Sequence, residues 1–226
     1  MDAVDNSLYA DLLSKYVKDG VVNYQGFKNE EDRLDAYLKV LEQTDTSKLH
    51  RDEQLAFYIN TYNATTIKLI LGAYPEITSI WDLGGRFFNK PFDKEIVRIE
   101  GKTISLDDLE HGIIRTRFEE PRVHFAVNCA SKSCPPLISE PYQGSALDHQ
   151  LTAATRAFLN DPQKNYLDGK KLYVSKIFKW FKEDFTSGVV SFFIQFADEE
   201  LKGKLVENRD KIKVKHLDYD WSLNGI

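Results

Sequence analysis

The chain predicts a mixed α+β fold, helix-rich with a small central β-sheet, formed as one domain across its 226 residues. Three patterns carry that expectation. Apolar residues recur at helical spacing over much of the first 71 positions, a tight hairpin signal surrounds Gly101-Lys102, and a short β-branched and aromatic run, Arg122 to Cys129, stands between turn residues. Helical stretches scattered among hairpins and short strands fit α+β rather than a regular βαβ series.

Taken in order, Leu8, Leu12, Leu13, Tyr16 and Val17 mark a first amphipathic helix from Ser7 to Lys18, stopped by Gly20. A second runs from Glu30 to Gln43 on Leu34, Tyr37, Leu38 and Leu41. A third, from Arg51 to Leu71, is the most apolar and ends at Gly72 and Pro75. Its stripe of Ala56, Ile59, Asn63, Ile67 and Ile70 brings two amides, Asn60 and Asn63, onto or beside a core-facing surface. After a loop punctuated by Gly84-Gly85 and Pro91, residues Glu95 to Glu100 and Thr103 to Ser105 read as a hairpin with Ile96, Ile99 and Ile104 inward. Ser105 and Asp108 form a capping box for a helix that carries Glu110 and His111 and ends near Arg117.

Arg122 to Cys129 is apolar on both faces at Phe125, Ala126 and Val127, the pattern of a central strand. A helix follows from Ser145 to Asn160, then a strand at Leu172 to Val174. The aromatic run Phe178 to Phe185 reads as core packing. Helices at Val189 to Ala197 and Glu199 to Asn208 precede a last strand, Ile212 to His216.

A 42% hydrophobic and 29% charged composition with 14 Phe and 11 Tyr is that of a globular chain. The net charge of -5, with acids and bases interspersed, offers no basic stripe for a phosphate backbone, so nucleic acid is not an expected partner. No apolar run is long enough to span a membrane. Met1 to Asn6 shows no basic and apolar leader pattern; a periplasmic or extracellular location is expected if a leader was removed, and a cytoplasmic one otherwise. The pattern calls for no cofactor and no metal, because Cys129 and Cys134 with distant histidines do not make a recognised ligand spacing.

The two cysteines, five residues apart, are the centre of the functional reading. A thiol enzyme needs a thiolate, an imidazole to take its proton, a group to orient the imidazole, and donors for the oxyanion. Cys134 precedes Pro135, a favoured first helical residue, while Cys129 ends the expected strand; either serves as nucleophile. Strand alternation puts His124 and Asn128 on one face and Cys129 on the other, so His124 approaches Cys134 only if the loop folds back, whereas His111 is free of that parity. Asp107, one turn before His111, is placed to fix its ring; Glu110 points elsewhere, toward substrate or a strand end. Asn60, Asn63 and Asn128 are candidate oxyanion or orienting amides, with Ser131 and Ser133 as substrate-binding hydroxyls, although buried amides commonly tie down loop backbone instead.

Five segments in order, Leu12–Val17 with Asp19-Gly20 and Val22-Asn23-Tyr24, Ala56–Ala64 (AFYINTYNA), Leu109–Arg115 (LEHGIIR), His124–Leu137 (HFAVNCASKSCPPL) and Ser175–Phe185 (SKIFKWFKEDF), resemble the domain-of-unknown-function family numbered 547. The resemblance implies a family with no established activity, found in bacteria often behind a signal peptide and in plants fused to a coiled-coil segment. It also implies a remote relation to papain-like and transglutaminase-like thiol enzymes, hence a cysteine-proteinase-like fold. Those enzymes place the nucleophile at the start of a core helix, where this chain has Asn60 and Asn63 and no cysteine.

The expectation is a thiol-dependent hydrolase or acyl transferase on amide or thioester bonds, with Cys134 or Cys129 as nucleophile, His111 or His124 as base, and Asp107 or Glu110 as orienting acid. The alternative is a non-catalytic adaptor with a small-molecule or peptide cleft, in which a Cys129–Cys134 bridge staples the loop.

Overall fold

The computed structural model describes residues 4–84 and 90–226. The expected Gly84-Gly85 loop lies partly outside them. The architecture is α+β, with helices dominating three small sheets.

Helix α1 (Ser7–Tyr16) leads through a two-residue hairpin, β1 (Val17–Lys18) and β2 (Val21–Val22), into α2 (Tyr24–Asn29), which the sequence pattern did not announce. Asn23 starts α2 by accepting the Gly26 N–H at 2.8 Å. Gly26 is required there, since a Cβ would lie 2.1 Å from the Tyr16 ring. Helix α3 (Glu31–Gln43) packs on α1, with Tyr9 and Tyr37 stacked at 4.7 Å between them.

Helix α4 runs Arg51–Leu71, as its periodicity predicts, and 15 of its 21 residues are buried. A helix enclosed on nearly every side must find partners for its polar residues, because an unpaired buried amide costs about 1–3 kcal/mol. Asn60 donates to Tyr142 O at 2.8 Å and accepts the Tyr142 N–H at 2.9 Å. Asn63 donates to Ala126 O at 2.9 Å and accepts the Asn128 N–H at 2.8 Å. Each amide therefore holds a remote chain segment the way a neighbouring strand would.

The hairpin β3 (Glu95–Ile99) and β4 (Lys102–Ser105) forms as expected, with a bulge between Glu95 and Val97, but alternation turns Val97 and Ile99 inward and leaves Ile96 on the exposed face. The Ser105–Asp108 capping box is present: Asp108 N–H donates to Ser105 Oγ at 3.0 Å and Ser105 N–H to the Asp108 carboxylate at 3.1 Å. The helix it opens is wound as a π-helix over Asp108–Ile114, closing with Arg115 N–H on Glu110 O, before continuing as α5 (Arg115–Phe118). Such wide turns concentrate at functional sites.

The central strand expected at Arg122 to Cys129 does not exist. Pro121–Phe125 is a 3-10 helix, and the chain from Ala126 to Pro136 is an irregular loop. Its apolar character reflects burial on all sides rather than strand pairing; Phe125 inserts into a second core with Phe158, Phe178, Phe185 and Phe192. That core belongs to α6 (Leu147–Leu159), α7 (Ile177–Trp180), α8 (Val189–Phe196) and α9 (Glu199–Glu207). Beside it β5 (Tyr166–Asp168), β6 (Lys171–Val174) and β7 (Lys213–His216) form the largest sheet, with β6 and β7 parallel. Leu172 and Val174 of β6 are fully buried members of that second core. The first core gathers α1 to α4 and the β3–β4 hairpin around Leu12, Phe27, Tyr37, Ile59 and Ile99. The C-terminal tail then crosses back to it, pairing Ser131 with Leu223 and Val22 with Gly225.

Replacing Asn63 with Ala removes both of its hydrogen bonds and orphans two buried backbone groups. We expect urea unfolding to show a loss of about 2–4 kcal/mol, against less than about 1 kcal/mol for an exposed helical position such as Lys39→Ala.

Candidate active site

The loop after Phe125 is held by side-chain amides. Asn63 fixes Ala126 and Asn128, and Asn128 in turn accepts the Ala130 N–H at 2.9 Å and donates to Pro135 O at 2.7 Å. Asn224 of the tail donates to Asn128 Oδ1 at 3.1 Å and to Ala130 O through its backbone N–H at 3.1 Å. Between these anchors Ala130 takes a left-handed conformation, φ 60°, which an alanine adopts only when its surroundings enforce it. The turn presents Cys129, the residue before it.

The three asparagines thus tie down backbone. Ser133 Oγ accepts the Asp220 N–H at 2.8 Å and secures the tail. Ser131 instead belongs to the thiol site: its Oγ is 3.2 Å from Cys129 Sγ and 3.3 Å from Tyr219 Oη, which is itself 3.3 Å from Cys129 Sγ.

Both cysteines are free thiols, and they are not equivalent. Cys134 is buried at 6% exposure and its sulfur accepts the Cys129 backbone N–H at 2.8 Å. Burial and the adjoining Cys129 thiolate raise its pKa well above the ordinary thiol value. Burial also acts to raise Cys129, but hydrogen bonds from Cys134, Ser131 and Tyr219 outweigh it and draw that thiol down to about 7. Cys129 is half-buried and is the thiol with the anionic form in reach of neutral pH.

Cys129, Glu110 and His124 line one cavity of about 340 Å³, to whose wall His111 and Asp107 also belong. His124 is buried and donates from Nε2 to Asp184 Oδ2 at 2.6 Å. Arg115 grips the same carboxylate with two bonds, Nε to Oδ2 at 2.6 Å and Nη2 to Oδ1 at 2.8 Å. Burial works against the Asp184 charge, yet the hydrogen bonds from His124 and Arg115 hold its carboxyl well below the usual range. Burial lowers the pKa of His124 despite Asp184, so the ring is neutral near pH 7 with its proton on Nε2. Its bare Nδ1 has no hydrogen-bond partner and lies 3.9 Å from Glu110 Oε1. Burial first, and the neighbouring Cys129 thiolate second, raise Glu110 to about 7.

His111 is differently used. Arg115 Nη1 donates to its Nδ1 at 2.6 Å, which leaves the proton on Nε2, 3.5 Å from Asp107 Oδ1. The expected Asp107–His111 pairing is present, but with one nitrogen occupied and the other protonated His111 has no free basic atom. Among the described residues neither sulfur is hydrogen-bonded to a histidine. The sequence pattern did not single out Asp184, Arg115 or Tyr219 as site residues. Asp184 lies inside the SKIFKWFKEDF segment as an acid in an aromatic run and Arg115 closes LEHGIIR one turn after His111; Tyr219 carries no local signal.

The chain belongs to the family described as protein of unknown function, DUF547, whose model matches residues 46–159. No curated protein and no solved structure matches it. Among the described residues no helix is long and apolar enough to cross a membrane, and no group of three or more His, Cys, Asp and Glu is placed to hold a metal ion.

Glu110 makes the site's charge state visible in stability. The folded chain keeps this proton up to about pH 7, whereas the unfolded chain releases it near 4.3. In that window the folded state binds more protons, so stability falls as pH rises from about 4.5 to about 7, by on the order of 3 kcal/mol in total. Denaturation midpoints of Glu110→Gln should lose that slope. Asp184 acts oppositely and lower: its contribution is present above the ordinary carboxylate range and disappears as pH falls through and below it.

Proposed function

We propose that the protein is a thiol-dependent hydrolase or acyl transferase acting on amide or thioester bonds, with Cys129 as nucleophile. The observation that supports it most directly is the convergence of Cys129, Glu110 and the Asp184-bound His124 on one cavity. In this reading the Cys129 thiolate attacks the acyl carbon, a C–S bond forms, and the C–N or C–S bond to the leaving group breaks. Glu110, about half protonated at neutral pH, gives its proton to the departing amine or thiolate. Water or an acceptor then displaces the enzyme from the thioester, and the carboxylate recovers a proton from that incoming group. His124 is a positioning residue whose bare Nδ1 faces Glu110, and Asp184 with Arg115 fixes its tautomer. Cys134 keeps its proton and donates to the Cys129 thiolate.

A second reading, a non-catalytic ligand or peptide cleft, is favoured by the aromatic lining of the same cavity; with both cysteines as free thiols it rests on the cleft and not on a bridge.

Incubation with p-nitrophenyl acetate should leave one acetyl group on Cys129, located by peptide mass, with a burst of p-nitrophenolate. Cys129→Ala should abolish the burst, Cys134→Ala should slow it, and Glu110→Gln should slow turnover about 10²-fold or more. Acetylation confined to lysines would remove the catalytic reading and leave the binding one. Independently, iodoacetamide labelling of Cys129 should rise with a midpoint near pH 7, and Tyr219→Phe should shift that midpoint upward.

A further inference from the structure

We propose that the cleft selects substrates bearing a planar aromatic group next to the reacting carbonyl, seated on the wall formed by Trp180 and Trp221. This deepens the thiol-enzyme reading and rests on it for the position of the carbonyl. All three tryptophans of the chain line this one cavity. Trp180 is 45% exposed and Trp81 40%; among the described aromatic residues Tyr166, at 40%, is comparably open, and it lies outside this cavity. The tryptophans form a continuous surface: Trp180 lies 5.7 Å from Trp221 at 30°, and Trp221 lies 5.2 Å from Trp81 at 80°.

Tyr219 joins that surface to the thiol. Its ring is 4.7 Å from Trp180 and 4.6 Å from Trp221, while its hydroxyl is 3.3 Å from Cys129 Sγ. A carbonyl at Cys129 therefore has the indoles one tyrosine's length away. The near-perpendicular Trp81–Trp221 pair forms a corner in which an aromatic ring stacks on one indole and meets the other edge to face, the two arrangements such rings favour.

The other flat ligands fit less well. A sugar ring needs partners for its hydroxyls, and the two histidines of the lining, His124 and His111, are stacked against Phe181. A quaternary ammonium would meet Lys90 in the same lining. An uncharged aromatic ring needs no hydroxyl partners and sets no positive charge against Lys90.

The test compares N-benzyl chloroacetamide with N-methyl chloroacetamide as alkylating agents of Cys129 in the full chain, by intact mass and peptide mapping. In each reaction the thiolate forms a C–S bond, chloride leaves, and the thiol proton passes to buffer. The ratio of the two rates within one protein cancels the intrinsic reactivity of the thiol. We expect a ratio of about tenfold in the native chain, worth roughly 1.4 kcal/mol. It should fall severalfold in Trp180→Ala and recover in Trp180→Phe, at a position exposed enough for both variants to fold. A ratio near one with Cys129 still labelled overturns the aromatic subsite and leaves the thiol reading standing, as does a ratio unaltered in Trp180→Ala. If Cys129 labels with neither reagent, the thiol reading fails, and tryptophan fluorescence decides the subsite: saturable quenching by N-benzylacetamide supports it. No quenching, or quenching by N-acetylglucosamine in its place, overturns it.

Discussion

The Asn63 side chain is the contact on which the site depends. Its two hydrogen bonds fix the backbone at Ala126 and Asn128, and Asn128 passes the constraint on to Ala130 and Pro135. A loop of this length without strand pairing would otherwise carry unsatisfied polar backbone into the interior. Supplying the partners from a buried helix lets the chain turn sharply through a left-handed alanine and still stay rigid. The thiol at that turn is therefore placed by α4, whose own position is set by the first core.

Electrostatics then distinguishes groups that look alike in composition. Two thiols lie side by side, and the one in contact with more donors is the more acidic. Two histidines sit in one cavity, and Arg115 separates their roles by occupying a nitrogen of His111 while steadying the carboxylate that binds His124. Burial, helped by the Arg115 charge beside Asp184, keeps His124 uncharged, and an uncharged ring opposite Glu110 does nothing to hold that carboxylate ionised. Burial is then free to raise Glu110 into the range where it can both release and accept a proton.

Much of this order was legible in the chain. The periodicity of α4 gave its limits, the Ser105–Asp108 box gave the start of the helix bearing Glu110 and His111, and the spacing of Asp107 and His111 gave their contact. The error at Arg122 to Cys129 came from reading two-sided burial as a strand, when a buried loop capped by amides has the same apolar composition. That error also assigned the wrong geometry to His124, whose orientation comes from a 3-10 turn and from an aspartate 60 residues later. Ile96 stands three residues from Ile99, so strand alternation itself sends the two to opposite faces, and reading both as inward overlooked that parity. The aromatic run Phe178 to Phe185 divided: Phe178 and Phe185 are core, while Trp180 and Phe181 face the cleft, a distinction set by which side the second core lies on.

The residues matched by the family model, 46–159, contain Cys129, Glu110, His124 and the helix that anchors the loop. The groups that complete the cavity come from beyond that segment: Asp184 orients the imidazole, Tyr219 donates to the thiol, and Trp180 and Trp221 form the open wall. The aromatic surface of the cavity is thus shared between that segment, through Trp81, and the later chain, the two joined where the tail pairs with Ser131 and where Asn224 reaches Asn128. The second core and the returning tail consequently do more than add stability. They close the site electrostatically through Asp184 and supply part of its aromatic wall through Trp180 and Trp221.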